Sequence, residues 1–174
     1  GGKSWGIYGD LGAFDGEDWS LRESTATPSP RVGANLVYDG VGQRLLLFGG
    51  HVGTGFVNDL WAWDGQQWSF VPTDARPVAR AWGHAAYDPG LERVVLFGGI
   101  NTAQYLADTW TFDSTRWQRL SPERRPDGRM DAAMAYDPQL GGVVLYGGAS
   151  GSEGGQNDTW TFGGSEWQSV AAVK

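Results

Sequence analysis

Three apolar runs, each closing on a paired glycine, set the rhythm of the chain: "LLLFGG" at residues 45–50, "VVLFGG" at 94–99 and "VVLYGG" at 143–148. A short continuous apolar run bounded by turn residues marks a strand covered on both faces. Ahead of each run a short segment closes on Tyr-Asp, at Tyr38-Asp39, Tyr87-Asp88 and Tyr136-Asp137. Behind each lies a segment of alternating aromatic and polar residues. It is clearest in "DTWTFD", where Trp110 and Phe112 alternate with Thr109, Thr111 and Asp113. Such alternation predicts a half-buried strand. A last segment opens on Trp68, Trp117 or Trp167. Each unit therefore predicts four strands, and no segment carries a helical period.

The spacing is as regular as the pattern. Gly49, Gly98 and Gly147 stand 49 residues apart, and so do Arg31, Arg80 and Arg129. Asp59, Asp108 and Asp158 recur at 49 and then 50, as do Trp68, Trp117 and Trp167. The extra residue falls in the glycine-rich stretch "ASGSEGGQN", where an insertion disturbs little. A fixed period near 50 residues is the sign of a repeat architecture.

The recurring arginine, the Gly83-His84 pair, the Tyr-Asp step, the apolar run into Gly-Gly and the later tryptophan together resemble the kelch repeat. Gly-His is intact only there; Ala34-Asn35 and Ala132-Ala133 replace it in the other units. In that family each repeat is one four-stranded blade of a β-propeller. The resemblance implies an all-β, kelch-type β-propeller of about three and a half four-stranded blades, with a half blade at 1–22 and blades at 31–70, 80–120 and 129–170. The innermost strands are expected near 31–38, 80–87 and 129–136, where alanines suit crowding toward an axis. At the N-terminus Gly1-Gly2 aligns with the paired glycine that closes a second strand. Asp10, Asp15-Gly16 and Trp19 align with Asp59, Asp64-Gly65 and Trp68, so this stretch reads as third and fourth strands alone. Propellers need about four to eight blades to close, and terminal repeats need cover. Three completions stay open: a segment of a longer parent chain, a second chain joined into one ring, or a small self-closed ring.

Charge narrows the partners. A net charge of −7 argues against nucleic acid and anionic membranes. No stretch is long and apolar enough to suggest membrane insertion. With no cysteine there is no disulfide framework, and the redox compartment stays open. The same absence excludes the Tyr–Cys crosslinked copper site of galactose oxidase-like kelch proteins. His51 and His84 are the only histidines and lack metal-type spacing. "GGASGSEGG" lacks the lysine and hydroxyl of a phosphate loop, and Asn157-Asp158-Thr159 reads as a strand start before it reads as a glycosylation sequon. No cofactor and no catalytic metal are expected.

Binding residues are sought where loops vary around a fixed frame. "HVGTGFVN", "INTAQYLA" and "ASGSEGGQN" differ after each Gly-Gly and should project from one face. They carry His51, Phe56 and Tyr105, aromatic surfaces suited to a sugar or a buried anchor. Trp82 and His84 open the neighbouring strand. Arg31, Arg80 and Arg129 stand near the channel mouth, either bonding loop carbonyls or acids between blades, or offering donor forks to an acidic ligand. Asp59, Asp108 and Asp158 are expected to accept backbone bonds where the third strands begin, and the repeated tryptophans to pack between blades. Two functions follow: a non-catalytic module recognising a protein or glycan on the loop face, or an enzyme of lyase, epimerase or hydrolase type at the channel mouth. Two histidines and no repeated acid–base pair favour the first.

Overall fold

In each unit an Asx turn makes the first reversal. Asp39 Oδ1 accepts the Gly42 N–H, Asp88 Oδ1 those of Gly90 and Leu91, and Asp137 Oδ1 those of Gln139 and Leu140. Asp15, Asp64 and Asp113 repeat the device at the outermost hairpin, each accepting two backbone N–H groups. An aspartate bonding its own backbone two or three residues on is a ready-made turn, which is why Asp recurs at both places. The computed structural model describes residues 6–151 and 154–170; the expectation for Gly1-Gly2 lies outside them.

Among the described residues every regular element is a strand. The strands β1 (Leu11–Phe14) and β2 (Trp19–Arg22) form a two-stranded sheet. Three four-stranded antiparallel sheets follow. They are β3 (Asn35–Asp39), β4 (Arg44–Phe48), β5 (Leu60–Trp63) and β6 (Trp68–Phe70); then β7 (His84–Asp88), β8 (Arg93–Phe97), β9 (Thr109–Phe112) and β10 (Trp117–Leu120); then β11 (Ala133–Asp137), β12 (Gly142–Tyr146), β15 (Thr159–Phe162) and β16 (Trp167–Val170). The short pair β13 (Ala149–Ser150) and β14 (Gly154–Gly155) sits in the last loop. Each large sheet is a meander, and β7 lies beside both β3 and β11, so the first strands are the innermost. Each large sheet is thus arranged as the propeller blade that the sequence resemblance implies.

The tryptophans that open the fourth strands lock one blade to the next. Trp117 packs on Phe112 of its own blade and, with ring centroids 5.2 Å apart, on Phe48 of the blade before. Trp167 does the same with Phe162 and Phe97. In the central blade, flanked on both sides, β8 is therefore buried on both faces from Val94 to Phe97, whereas β4 and β12 of the outer blades stay partly open. For the same reason Thr109 and Thr111 are buried along with Phe112, so β9 is not half-exposed as its alternation predicts.

The first strands begin at residues 35, 84 and 133, four residues beyond each arginine. The intervening backbone climbs to the loop face instead of entering the sheet: Val32 bridges His51, and Ala81 bridges Ile100. Gly33, Trp82 and Asp131 occupy equivalent places there, all left-handed, with φ of 64°, 53° and 53°. Two of them hand a hydrogen bond back to the blade before. Trp82 N–H donates to the Gly33 carbonyl at 2.7 Å, and Asp131 N–H to the Trp82 carbonyl at 3.2 Å. The paired glycines serve this junction too. A Cβ on Gly98 would fall 2.7 Å from the Arg129 carbonyl oxygen, too close for any side chain.

Candidate functional site

The three arginines turn inward. Arg80 Nη1 and Nη2 donate to the two carboxylate oxygens of Asp108 at 2.6 and 2.7 Å, Nη1 also to the Gly98 carbonyl, and Nε to the Val78 carbonyl. Arg31 makes the same set with Asp59, Gly49 and Ser29, and Arg129 with Asp158, Gly147 and Asp127. Trp61, Trp110 and Trp160 each donate an indole N–H to the same carboxylates. Burial pushes the carboxyls of Asp59 and Asp108 up, but the bonds from arginine and indole outweigh it, and both sit below the usual carboxylate value. In Asp158 the bond from Arg129 leads, and the result is the same.

This geometry corrects two expectations. The aspartates receive guanidinium and indole, not backbone, and the pairs tie the lead-in of each blade to its own third strand, not one blade to another. Nor do Arg31, Arg80 and Arg129 offer forks to an acidic ligand. Their side chains are 5%, 0% and 1% exposed, and both arms of each fork are already engaged.

His84 also points inside. It is buried on the innermost strand, and Nε2 accepts the Ala132 N–H of the next blade at 3.3 Å. Burial pushes its pKa down to about 4, so it is neutral at physiological pH. It is a junction residue and presents nothing to a surface ligand.

The aromatics of the loop face behave differently. Phe56 meets His51 edge-on at 5.1 Å and Trp82 edge-on at 6.4 Å, so one half-buried cluster crosses from the first complete blade to the second. His51 and Phe56 form the small bridge of the first loop, and His51 Nδ1 accepts the Gly53 N–H. The Trp82 indole lies over Gly33, close enough that a Cβ there would come within 2.8 Å of the ring. Tyr105 takes the place of Phe56 one unit on. It stands apart from the cluster, its ring against Gly151 of the third loop.

Gly33 and Asp131 escape sequence reasoning. They share the 49-residue spacing with Trp82, but three unlike residue types at one place give no visible pattern. Thr109 is a second case: its hydroxyl accepts the buried Trp167 indole N–H at 2.9 Å. Among the described residues no three His, Asp or Glu side chains converge as a metal cage.

Comparison with known proteins agrees with this architecture. A family model described as the KLHDC2/KLHL20/DRC7 Kelch-repeats domain matches residues 7–173. A search of curated proteins finds no match.

Proposed function

The chain belongs to the KLHDC2/KLHL20/DRC7 Kelch-repeats domain family, and we propose that it is a non-catalytic recognition module that binds a protein through its loop face. Kelch-repeat domains are commonly protein-interaction modules. The observation that carries the reading is the His51–Phe56–Trp82 cluster, with Tyr105 beyond it. Rigid aromatic side chains on loops held by a scaffold are the usual anchors of an interface. These are half-buried, so their orientation is set before any partner arrives. With the arginine forks engaged and a net charge of −7, the face suits an apolar anchor better than an acidic one. A glycan stacking on Phe56 or Tyr105 is the competing reading of the same surface.

The test compares crosslinked capture by the wild type, by a Phe56→Ala/Tyr105→Ala variant and by a Pro89→Ala/Leu140→Ala variant altered on the opposite face. The same three proteins are applied to a glycan array. Proteins kept by the wild type and by the opposite-face variant, and lost by the loop variant, support the proposal. Loss with the opposite-face variant alone contradicts it. Array signal without protein capture transfers the site to a glycan.

A further inference from the structure

Positive charge is gathered in one stretch of this acidic chain. Five of its thirteen lysines and arginines lie between Arg116 and Arg129. Arg129 is locked to Asp158, and Arg116 reaches Asp113. Arg119 and Arg125 have no carboxylate partner among the described residues. The Arg125 guanidinium makes a single long hydrogen bond, to the Pro122 carbonyl at 3.5 Å. Both arginines line a cavity of about 320 Å³ set between β9, the end of β10 and the linkers before and after the second complete blade. Its apolar lining includes Leu106 and Pro122, both buried, and the half-buried indole of Trp110.

Arg119 stands directly across from Trp110 on the paired strands β10 and β9. The other complete blades differ at this place. In the first, Phe70 stands across from Trp61 and meets it edge-on at 5.8 Å; in the third, Ser169 stands across from Trp160. Only the second blade sets a cation beside the indole. The Trp110 N–H is engaged by Asp108, and the Arg80 fork neutralises that carboxylate, so the indole offers the cavity its apolar surface. The remaining charges nearby, Glu123 and Arg124, line the neighbouring cavity.

We propose that this cavity binds a small aromatic carboxylic acid. Its ring lies against Trp110, Leu106 and Pro122, and its carboxylate bridges Arg119 and Arg125. A guanidinium matches a carboxylate with two donors at once, and an indole packs well against a second flat ring. A cavity of about 320 Å³ falls at the lower end for small-molecule sites, with room for a ring system and an acid group but not for a length of peptide. One ligand thus uses the apolar wall and both open guanidinia. The site is separate from the His51–Phe56–Trp82 cluster and does not depend on it.

The probe is naphthoate, titrated into the full chain by isothermal calorimetry. Saturable binding to a single site is expected. Naphthalenemethanol, which has the same rings and no charge, should bind about tenfold more weakly or worse, and Arg119→Gln/Arg125→Gln should weaken naphthoate by a similar factor. Arg76→Gln, at the place of Arg125 in the preceding linker, should leave binding unchanged. So should Phe56→Ala/Tyr105→Ala, which alters the loop face alone. The proposal is overturned if binding does not saturate, if the alcohol binds as well as the acid, or if Arg119→Gln/Arg125→Gln has no more effect than Arg76→Gln. Loss of naphthoate binding in Phe56→Ala/Tyr105→Ala would also overturn it, by placing the ring on the loop aromatics.

Discussion

Arg80 and Asp108, 28 residues apart in the chain, meet in a two-pronged ion pair that is sealed from solvent on the arginine side. The pair fastens the lead-in of the second blade to its third strand, and equivalent pairs do so in the blades on either side. A buried guanidinium stripped of its carboxylate keeps its desolvation penalty, and breaking such a pair costs about 3–5 kcal/mol. Asp108→Ala should therefore destabilise the chain by that order in urea unfolding. The pH dependence follows from the lowered carboxyl. Its contribution is complete above the unfolded value near 3.8 and is lost as pH falls below that toward the folded value. In Asp108→Ala this part of the acid transition should shrink.

Trp167 and Trp117 fill equivalent places with unequal polar satisfaction. Trp167 gives its indole N–H to Thr109, whereas the buried Trp117 N–H has no partner among the described residues, because Leu60 stands where Thr109 would. Truncating either to Ala should cost about 3–5 kcal/mol, since each removes a large interlocking ring. Thr109→Val separates them: it should cost about 1–3 kcal/mol by leaving the Trp167 N–H unpaired. Equal stability of wild type and Thr109→Val would show that this bond contributes nothing.

His84 gives the fold an acid-sensitive joint. Burial lowers its pKa from 6.5 to about 4, so the neutral imidazole holds the Ala132 N–H. The sign is that of a depressed base. The contribution is full above 6.5 and is lost progressively as pH falls toward 4. Asn35 occupies the same buried place one unit earlier, which makes His84→Asn a tolerable replacement. The variant should lose less stability than the wild type between these two pH values, measured by thermal melts. Parallel curves would remove His84 as the cause.

Much of the architecture is legible in the sequence. The apolar runs at 45–50, 94–99 and 143–148 became the middle strands, and Trp117 and Trp167 took their places between blades because a 49-residue frame repeats the same packing problem. The site was less legible. Arginine near a channel mouth satisfies either a carboxylate of its own chain or one of a ligand, and spacing does not say which; the answer lies in Asp59, Asp108 and Asp158, whose place at strand starts suggests backbone partners instead. His84 misled in the same way, since nothing in "WGHAAYD" tells whether the imidazole faces solvent or the next blade. The contact between Phe56 and Trp82 joins two repeats, and a pattern read within one repeat does not reach it.

The central claim is that the loop face carries recognition. Hydrogen–deuterium exchange, with and without a protein captured by the wild type, tests it most directly. Protection confined to the loop segments 51–57 and 100–106 and to the backbone around Trp82 is the predicted result. Protection at the opposite turns, 39–43 and 88–92, with those loops unchanged, would contradict it.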